Sequence, residues 1–172
     1  RHAGGSMTLQ SYHSLIAGKR VAFEPRGFDQ IPALHPNLFP HQRAVTEFAL
    51  HQGAAAMFLD TGLGKSFSAL EWGRVVVEAT NRPVLMLAPL AVGMQHQREA
   101  ERFGIDARYV RDNSEVDGAR IYITNYERLA NFVLTQFAGI ILDESSILKS
   151  FDGKTTKALI TAFAATPYRL CC

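Results

Sequence analysis

From residue 40 onward, the hydrophobic positions alternate between two periods. Short apolar runs bounded by turn residues predict buried strands at 54–59, 84–88, 107–110, 121–124, 139–142 and 169–172. Between them, apolar residues recur at helical spacing, which predicts helices at 40–52, 65–79, 92–103, 126–136 and 154–164. Buried strands that alternate with helices are typical of a parallel sheet covered on both faces. The sequence therefore predicts an α/β fold with three αβα layers and a mostly parallel sheet.

The chain before this pattern is irregular. Three prolines divide residues 7–37 into short pieces, and only 20–23 indicates a strand. Residues 1–6 look like the remnant of a tag before a native start at Met7, and we exclude them from the fold. Within the helix 40–52, Val45, Phe48 and Ala49 are predicted to form the inward face.

The amino-acid composition indicates a globular domain and does not by itself indicate a function. Apolar residues make up 47% of the 172 residues and charged residues 20%, which is ordinary for a globular domain and argues against disorder. The longest apolar stretch, 84–94, is interrupted by Pro89 and Gly93 and falls short of the roughly 20 residues of a membrane span. The two cysteines are adjacent, at 171 and 172, which excludes a disulfide framework and a thiolate zinc site. A net charge of +2 is too small to indicate nucleic-acid binding by itself.

The strongest chemical signal is Asp60-Thr61-Gly62-Leu63-Gly64-Lys65-Ser66, between a predicted strand and a predicted helix. This context is typical of a phosphate-binding loop, in which glycines let backbone amides approach an anion. Lys65 would reach the β and γ phosphates, and the Ser66 hydroxyl would ligate Mg²⁺. The predicted nucleotide-binding residues of this segment are Thr61, Gly62, Leu63, Gly64, Lys65, Ser66 and Phe67. Leu59 stands where the full pattern has a glycine, so a plain glycine-rich turn with an incidental lysine is the alternative.

A second signal is the acidic pair that ends the apolar strand 139–142. We expect Asp143 and Glu144 to lie beside the phosphate loop, on the tip of a neighbouring parallel strand. Asp143 would then hold a Mg²⁺-bound water, and Glu144 would accept a proton from the attacking water. Lys65, Asp143 and Glu144 are thus the predicted catalytic residues, and Ser66 and Asp143 the predicted metal ligands. The alternative is a helix cap, in which Asp143 to Ser146 satisfy free backbone amides.

In this order the motifs resemble those of superfamily-two (DEAD/DEAH-like) helicases and translocases, most closely the short phage and bacterial forms of the Swi/Snf-like branch. The similarity runs from Leu38 to Cys172. Leu38-Phe39-Pro40-His41-Gln42 resembles the upstream glutamine motif, which implies that Gln42 reads the adenine edge; alone, it would be an ordinary surface glutamine. Asp143-Glu144-Ser145-Ser146 occupies the position of motif II, where many relatives have Ala-His after the acids, and Lys149 matches a lysine just beyond it.

The resemblance also implies contacts to nucleic acid. Leu87-Ala88-Pro89-Leu90 is similar to motif Ia, with His96 at a position where an aromatic residue is common. The block 121–127 is similar to the next conserved motif, which touches the nucleic-acid backbone. The implied contacts lie in the loops after these strands, at Pro89, Leu90, Thr124 and Asn125, with ordinary loop structure as the alternative.

As a whole, the resemblance implies that residues 38–172 are the first RecA-like ATP-binding lobe of a nucleic-acid-dependent ATPase. Its cofactors would be ATP and Mg²⁺, and its partners nucleic acid (DNA rather than RNA) and a second RecA-like lobe of the same chain. Thr166-Pro167 is interpreted as a helix-to-strand turn, so motif III would begin only after Cys172. The isolated lobe would be weakly active or inactive, in the cytoplasm of a bacterial or phage-infected cell. Two alternatives stay open: a nucleotide-dependent nucleic-acid or protein binding module without turnover of its own, and an excised fragment.

Overall fold

The computed structural model describes residues 25–59, 62–144 and 153–172. The predicted tag remnant and the predicted strand 20–23 lie outside these residues. Residues 25–39 contain neither helix nor strand, as predicted for the described part of the irregular segment. The buried side chains of Leu34 and Leu38 nevertheless pack into the core, and the main-chain nitrogen of His35 donates to Glu71 Oε1 at 2.7 Å. The described part of the irregular segment is therefore packed against the domain.

Four helices and six strands make up the described fold. The helices are α1 (Pro40–Gln52), α2 (Lys65–Thr80), α3 (Gly93–Arg102) and α4 (Gly153–Ala165). The strands are β1 (Ala54–Ala56), β2 (Val84–Ala88), β3 (Ala107–Tyr109), β4 (Ile121–Asn125), β5 (Gly139–Leu142) and β6 (Tyr168–Cys171). Short 3₁₀ turns occupy Asn113–Glu115, Tyr126–Asn131 and Leu134–Gln136. The predicted elements are present in the predicted order, apart from the segment 126–136 discussed below.

The strands form one sheet in the order β1-β6-β5-β2-β4-β3, and each pairing among the described strands is parallel. Successive side chains of a strand point to opposite faces. Val84 and Met86 of β2 therefore pack with α1, α2 and α3 on one face, while Leu85 and Leu87 pack with Leu159 of α4 on the other. The predicted three-layer αβα architecture is confirmed.

The prediction of a helix over 126–136 is wrong. The segment forms two 3₁₀ turns, Tyr126–Asn131 and Leu134–Gln136. Its buried apolar side chains, Tyr126, Leu129 and Phe132, are spaced three residues apart. That spacing aligns them on one side of a helix with three residues per turn, whereas an α-helix would rotate them progressively off the core.

Two further details differ from prediction. The strand predicted at 54–59 ends at Ala56 and is not buried, because it is an edge strand that pairs only with β6 among the described strands. Along α1, Ala49 is buried as predicted, but Phe48 is 58% exposed, and Gln42 and Thr46 face inward instead. Hydrophobicity alone did not predict this inward face, because α1 packs beside the loop before α2, where the amide of Gln42 finds a hydrogen-bond partner.

None of the helices within 25–59, 62–144 and 153–172 combines the length and hydrophobicity needed to cross a bilayer.

Candidate nucleotide site

The loop between β1 and α2 has the backbone conformation that its glycines predict. Gly62 and Gly64 have φ values of 89° and 72°, and α2 begins at Lys65. Free amide groups and the positive end of the helix dipole meet at such a helix start. The first turn of α2 contains no acidic residue to offset that positive potential. The described part of the loop, Gly62 to Phe67, can therefore surround an anion; Thr61 lies outside the described residues.

Gln42 is buried against this loop and is not a surface glutamine. Its Nε2 donates to the carbonyl oxygen of Leu63 at 2.9 Å, and its Oε1 accepts from the main-chain nitrogen of Phe39 at 2.9 Å. The side chain is only 3% exposed. Gln42 therefore links the start of α1 to the phosphate loop. An additional contact from Gln42 to an adenine edge stays a prediction.

Gly64→Ala is expected to be more destabilising than Gly62→Ala. A Cβ at Gly64 would lie 2.0 Å from Gln42 Nε2, whereas a Cβ at Gly62 would meet no atom within 4 Å. Both substitutions carry the strain of a positive φ, about 1–3 kcal/mol, so Gly62→Ala is the matched control for the steric overlap. Urea unfolding followed by circular dichroism measures the difference. Equal losses of unfolding free energy would show that Gln42 does not pack tightly on the loop.

The acidic pair lies at the same end of the sheet as the loop. Asp143 directly follows β5 and is 5% exposed, and Glu144 adopts the left-handed conformation, with φ 51°. A single cavity of about 410 Å³ is lined by residues from the loop (Gly62, Gly64, Lys65, Ser66), from the acidic pair (Asp143, Glu144) and from the start of α3 (Val92, Gln95, His96, Glu99). The structure therefore brings the two predicted signals together.

We predicted that the acidic pair would follow a strand adjacent to β1. Instead it follows β5, because β6 lies between β1 and β5 and pairs with both. β6 (Tyr168–Cys171) is the last strand in the sequence, and no local sequence pattern predicts that it inserts between two earlier strands. The loop and the acids face each other across the carboxyl end of β6, where Cys172 is located. Burial raises the pKa of the Cys172 thiol to about 12, so the thiol is neutral at physiological pH.

The sequence did not identify α3 as a wall of this cavity. His96 Nε2 lies 2.8 Å from Asp143 Oδ2, and both side chains are almost completely buried. The position follows from topology: β2 is adjacent to β5, so the helix that follows β2 begins beside the carboxyl end of β5. Knowledge of the strand order would have predicted the contact between His96 and Asp143, but the local sequence pattern does not give the strand order.

Glu99→Gln is expected to raise the unfolding midpoint at neutral pH. Burial raises the pKa of the Glu99 carboxyl above 4.5, and nearby Asp143 adds to this, although His96 and Arg102 act in the opposite direction. The native state therefore holds the proton more tightly than the unfolded chain, so stability falls as pH rises from about 4.5 through the native pKa. Glutamine removes this loss. Unfolding midpoints between pH 4 and 8 should converge at the acidic end; a constant difference would contradict the expectation.

The residues of the cavity fit a nucleotide and Mg²⁺ in their chemistry. Mg²⁺ prefers oxygen ligands and is held by one or two carboxylates together with substrate phosphates. Ser66 and Asp143 supply a hydroxyl and a carboxylate to the same cavity. Within the described part of the chain, no cluster of three or more His, Cys, Asp or Glu side chains could hold a metal by itself. A hydroxyl and a single carboxylate suit a cation that is bound together with phosphate.

The predicted nucleic-acid contacts lie along the carboxyl ends of β2 and β4. Ala88 pairs with Asn125, so Pro89 and Leu90 follow β2 next to the end of β4, and Leu90 is 65% exposed. The strand predicted at 121–124 extends by one residue, so Asn125 belongs to β4 and not to the loop that follows it, and both Thr124 and Asn125 are buried. Contacts from these four residues to nucleic acid stay predictions.

The parallel sheet and the loop at its carboxyl edge define an α/β domain of the RecA-like type. No protein-family model matches the chain, and no curated protein matches it in sequence. Among solved structures, it is similar to the UvsW helicase from bacteriophage T4, with 13% identity and a TM-score of 0.66 over 96% of this chain and 60% of that one. A second T4 UvsW structure gives the same identity and TM-score over 96% of this chain and 34% of that one.

The chain is also similar to the Sulfolobus solfataricus SWI2/SNF2 ATPase core in complex with dsDNA. This similarity has 21% identity and a TM-score of 0.62, and covers 83% of this chain and 33% of that one. At such identities the comparisons establish the fold, which is that of helicase ATPase cores. The chain spans between one third and three fifths of the length of these structures.

Proposed function

We propose that this chain is an ATP-binding and ATP-hydrolysing lobe of a nucleic-acid-dependent helicase or translocase. One observation carries the proposal: the phosphate loop and the carboxylates of Asp143 and Glu144 line a single cavity at the carboxyl end of a RecA-like sheet. Nucleotide hydrolysis needs an anion cradle, a metal ligand and a group that accepts a proton from water. This cavity contains a candidate residue for each.

Lys65 and the amides of Gly62 to Ser66 would bind and orient the phosphates. Ser66 and Asp143 would hold Mg²⁺, which offsets the charge that develops on the transferred phosphoryl group. Glu144 would take the proton of the attacking water. Gln42 would keep the loop against α1 and, as the resemblance implies, would face the adenine. Phe67 is buried in the core and would support the loop from beneath.

We propose duplex DNA as the nucleic acid that this lobe contacts. The support comes from the likeness to a SWI2/SNF2 ATPase core whose structure was solved with dsDNA. Pro89 and Leu90, together with the end of β4, would meet the DNA backbone without reading bases. A second RecA-like lobe would complete the site, and residues 38–172 would form the first lobe.

A competition titration tests the nucleotide part of the proposal. A fluorescent ATP analogue should bind this chain in the presence of Mg²⁺, and unlabelled ATP should displace it much better than AMP, because the loop recognises the β and γ phosphates. Failure of the analogue to bind at millimolar concentration would reject the proposal. Fluorescence anisotropy with labelled duplex DNA and duplex RNA, each measured at 50 and 200 mM salt, tests the preference for DNA.

Hydrolysis separates this proposal from the alternative binding module. Without arginines from a second lobe, which are worth about 10³–10⁵ in rate, we expect slow turnover that single-turnover measurements with radiolabelled ATP can detect. Binding of ATP and DNA with no conversion over hours would favour the binding module.

A further inference from the structure

Asp143 is held from two sides by residues of other elements. On the side-chain end, His96 Nε2 lies 2.8 Å from Oδ2. On the main-chain end, the hydroxyl of Tyr126 donates to the carbonyl oxygen of Asp143 at 2.5 Å. Both partners are buried, His96 at 4% exposure and Tyr126 at 1%. The position and the orientation of this carboxylate are therefore set by α3 and by the turn after β4, in addition to β5 itself.

The contact with His96 fixes which oxygen of Asp143 remains available. A carboxylate oxygen accepts, so His96 Nε2 carries the proton and donates to Oδ2. Within the described residues, His96 Nδ1 has no hydrogen-bond partner, so the imidazole makes its one identified polar contact with Asp143. Oδ2 is engaged by His96, so Oδ1 is the carboxylate oxygen that keeps its lone pairs for a cation.

The contact with Tyr126 fixes the backbone at the acidic pair. The carbonyl group of Asp143 immediately precedes Glu144, whose φ of 51° is rare for a residue other than glycine. A hydrogen bond to that carbonyl restrains the peptide that joins the two acids. Tyr126 itself directly follows β4, so its ring is anchored by the strand end and by the core beneath it.

From this geometry we propose that His96 and Tyr126 are positioning residues, which hold Asp143 so that one carboxylate oxygen is presented to the Mg²⁺ that accompanies the nucleotide. The inference rests on the proposed function. It assigns a role to His96, a histidine of α3. Directly after the acidic pair the sequence has Ser145 and Ser146 in place of the Ala-His that the resemblance would lead one to expect. Partners of metal-binding carboxylates that fix their orientation typically contribute about 10- to 100-fold to metal affinity.

The test measures the affinity of a fluorescent ATP analogue with excess Mg²⁺ and with EDTA, for the full chain and its variants. Mg²⁺ should strengthen binding to the wild type. In His96→Leu, which removes the donor at similar volume, the ratio of the two affinities should fall about 10-fold or more while binding in EDTA is unchanged. His96→Gln keeps an N–H donor and should restore most of the ratio. Tyr126→Phe removes only the hydroxyl and should lower the ratio by a smaller factor.

The outcomes distinguish this inference from the proposed function. A wild-type chain that binds no analogue rejects the proposed function, and the inference with it. A wild type that binds the analogue, with Mg²⁺ ratios unchanged in His96→Leu and Tyr126→Phe, rejects the inference alone. Equal weakening with Mg²⁺ and with EDTA would indicate a merely structural role and would also reject it. Tyr126→Phe and His96→Gln keep the test decisive if His96→Leu does not fold, which circular dichroism reports.

Discussion

Replacing Lys65 with alanine is expected to weaken ATP binding about 10- to 150-fold. Lys65 lines the cavity at the start of α2, and a hydrogen bond to a charged group contributes about 1.5–3 kcal/mol. Alanine is the best helix former, so the substitution should leave α2 and the stability of the domain intact. The measurement is the affinity for a fluorescent ATP analogue in the presence of Mg²⁺.

The matched control for this prediction is Lys157→Ala. Lys157 is an exposed lysine of α4, so this variant removes the same charge from the chain without touching the cavity. Its affinity for the analogue should equal that of the wild type. If both variants lost affinity equally, the effect would come from net charge. If neither did, Gly62 to Ser66 would be an ordinary turn with an incidental lysine.

Glu144→Gln is expected to lower single-turnover hydrolysis of ATP about 10²- to 10⁴-fold, which is the range for loss of a general base. The substitution preserves size and removes the ability to accept a proton. Nucleotide affinity should change by less than about twofold, because the loop and Asp143 remain. The measurement is conversion of radiolabelled ATP with the protein in excess.

Glu99→Gln serves as the control, because Glu99 lines the same cavity and the substitution exchanges the same carboxyl group for an amide. If hydrolysis responds only to the charge of the cavity, both variants should be affected alike. Loss in Glu144→Gln alone would support proton transfer at that residue. Wild-type rates in Glu144→Gln would contradict the assigned role.

Two elements and one loop show where the local sequence pattern predicts the structure well. The boundaries of α1 and β2 agree with prediction, because proline near the first turn of α1 and an unbroken apolar run in β2 are local signals. The phosphate loop is also predicted by a local signal, since glycine is favoured where φ is positive, as it is at Gly62 and Gly64. The prediction of an α-helix over 126–136 was wrong because, over so short a length, the apolar spacing of a 3₁₀-helix (three residues) differs little from that of an α-helix (three to four residues).

The sequence by itself determined the fold class, the loop and the identity of the acidic pair, because each depends on residues within a few positions of one another. Only the tertiary structure decided the order of the strands, which inserts β6 between β1 and β5 and places α3 against Asp143. Contacts such as His96 with Asp143, or Tyr126 with the carbonyl of Asp143, join residues 47 and 17 positions apart. Their energies arise from burial and close approach after the sheet is assembled, so no local period in the sequence encodes them.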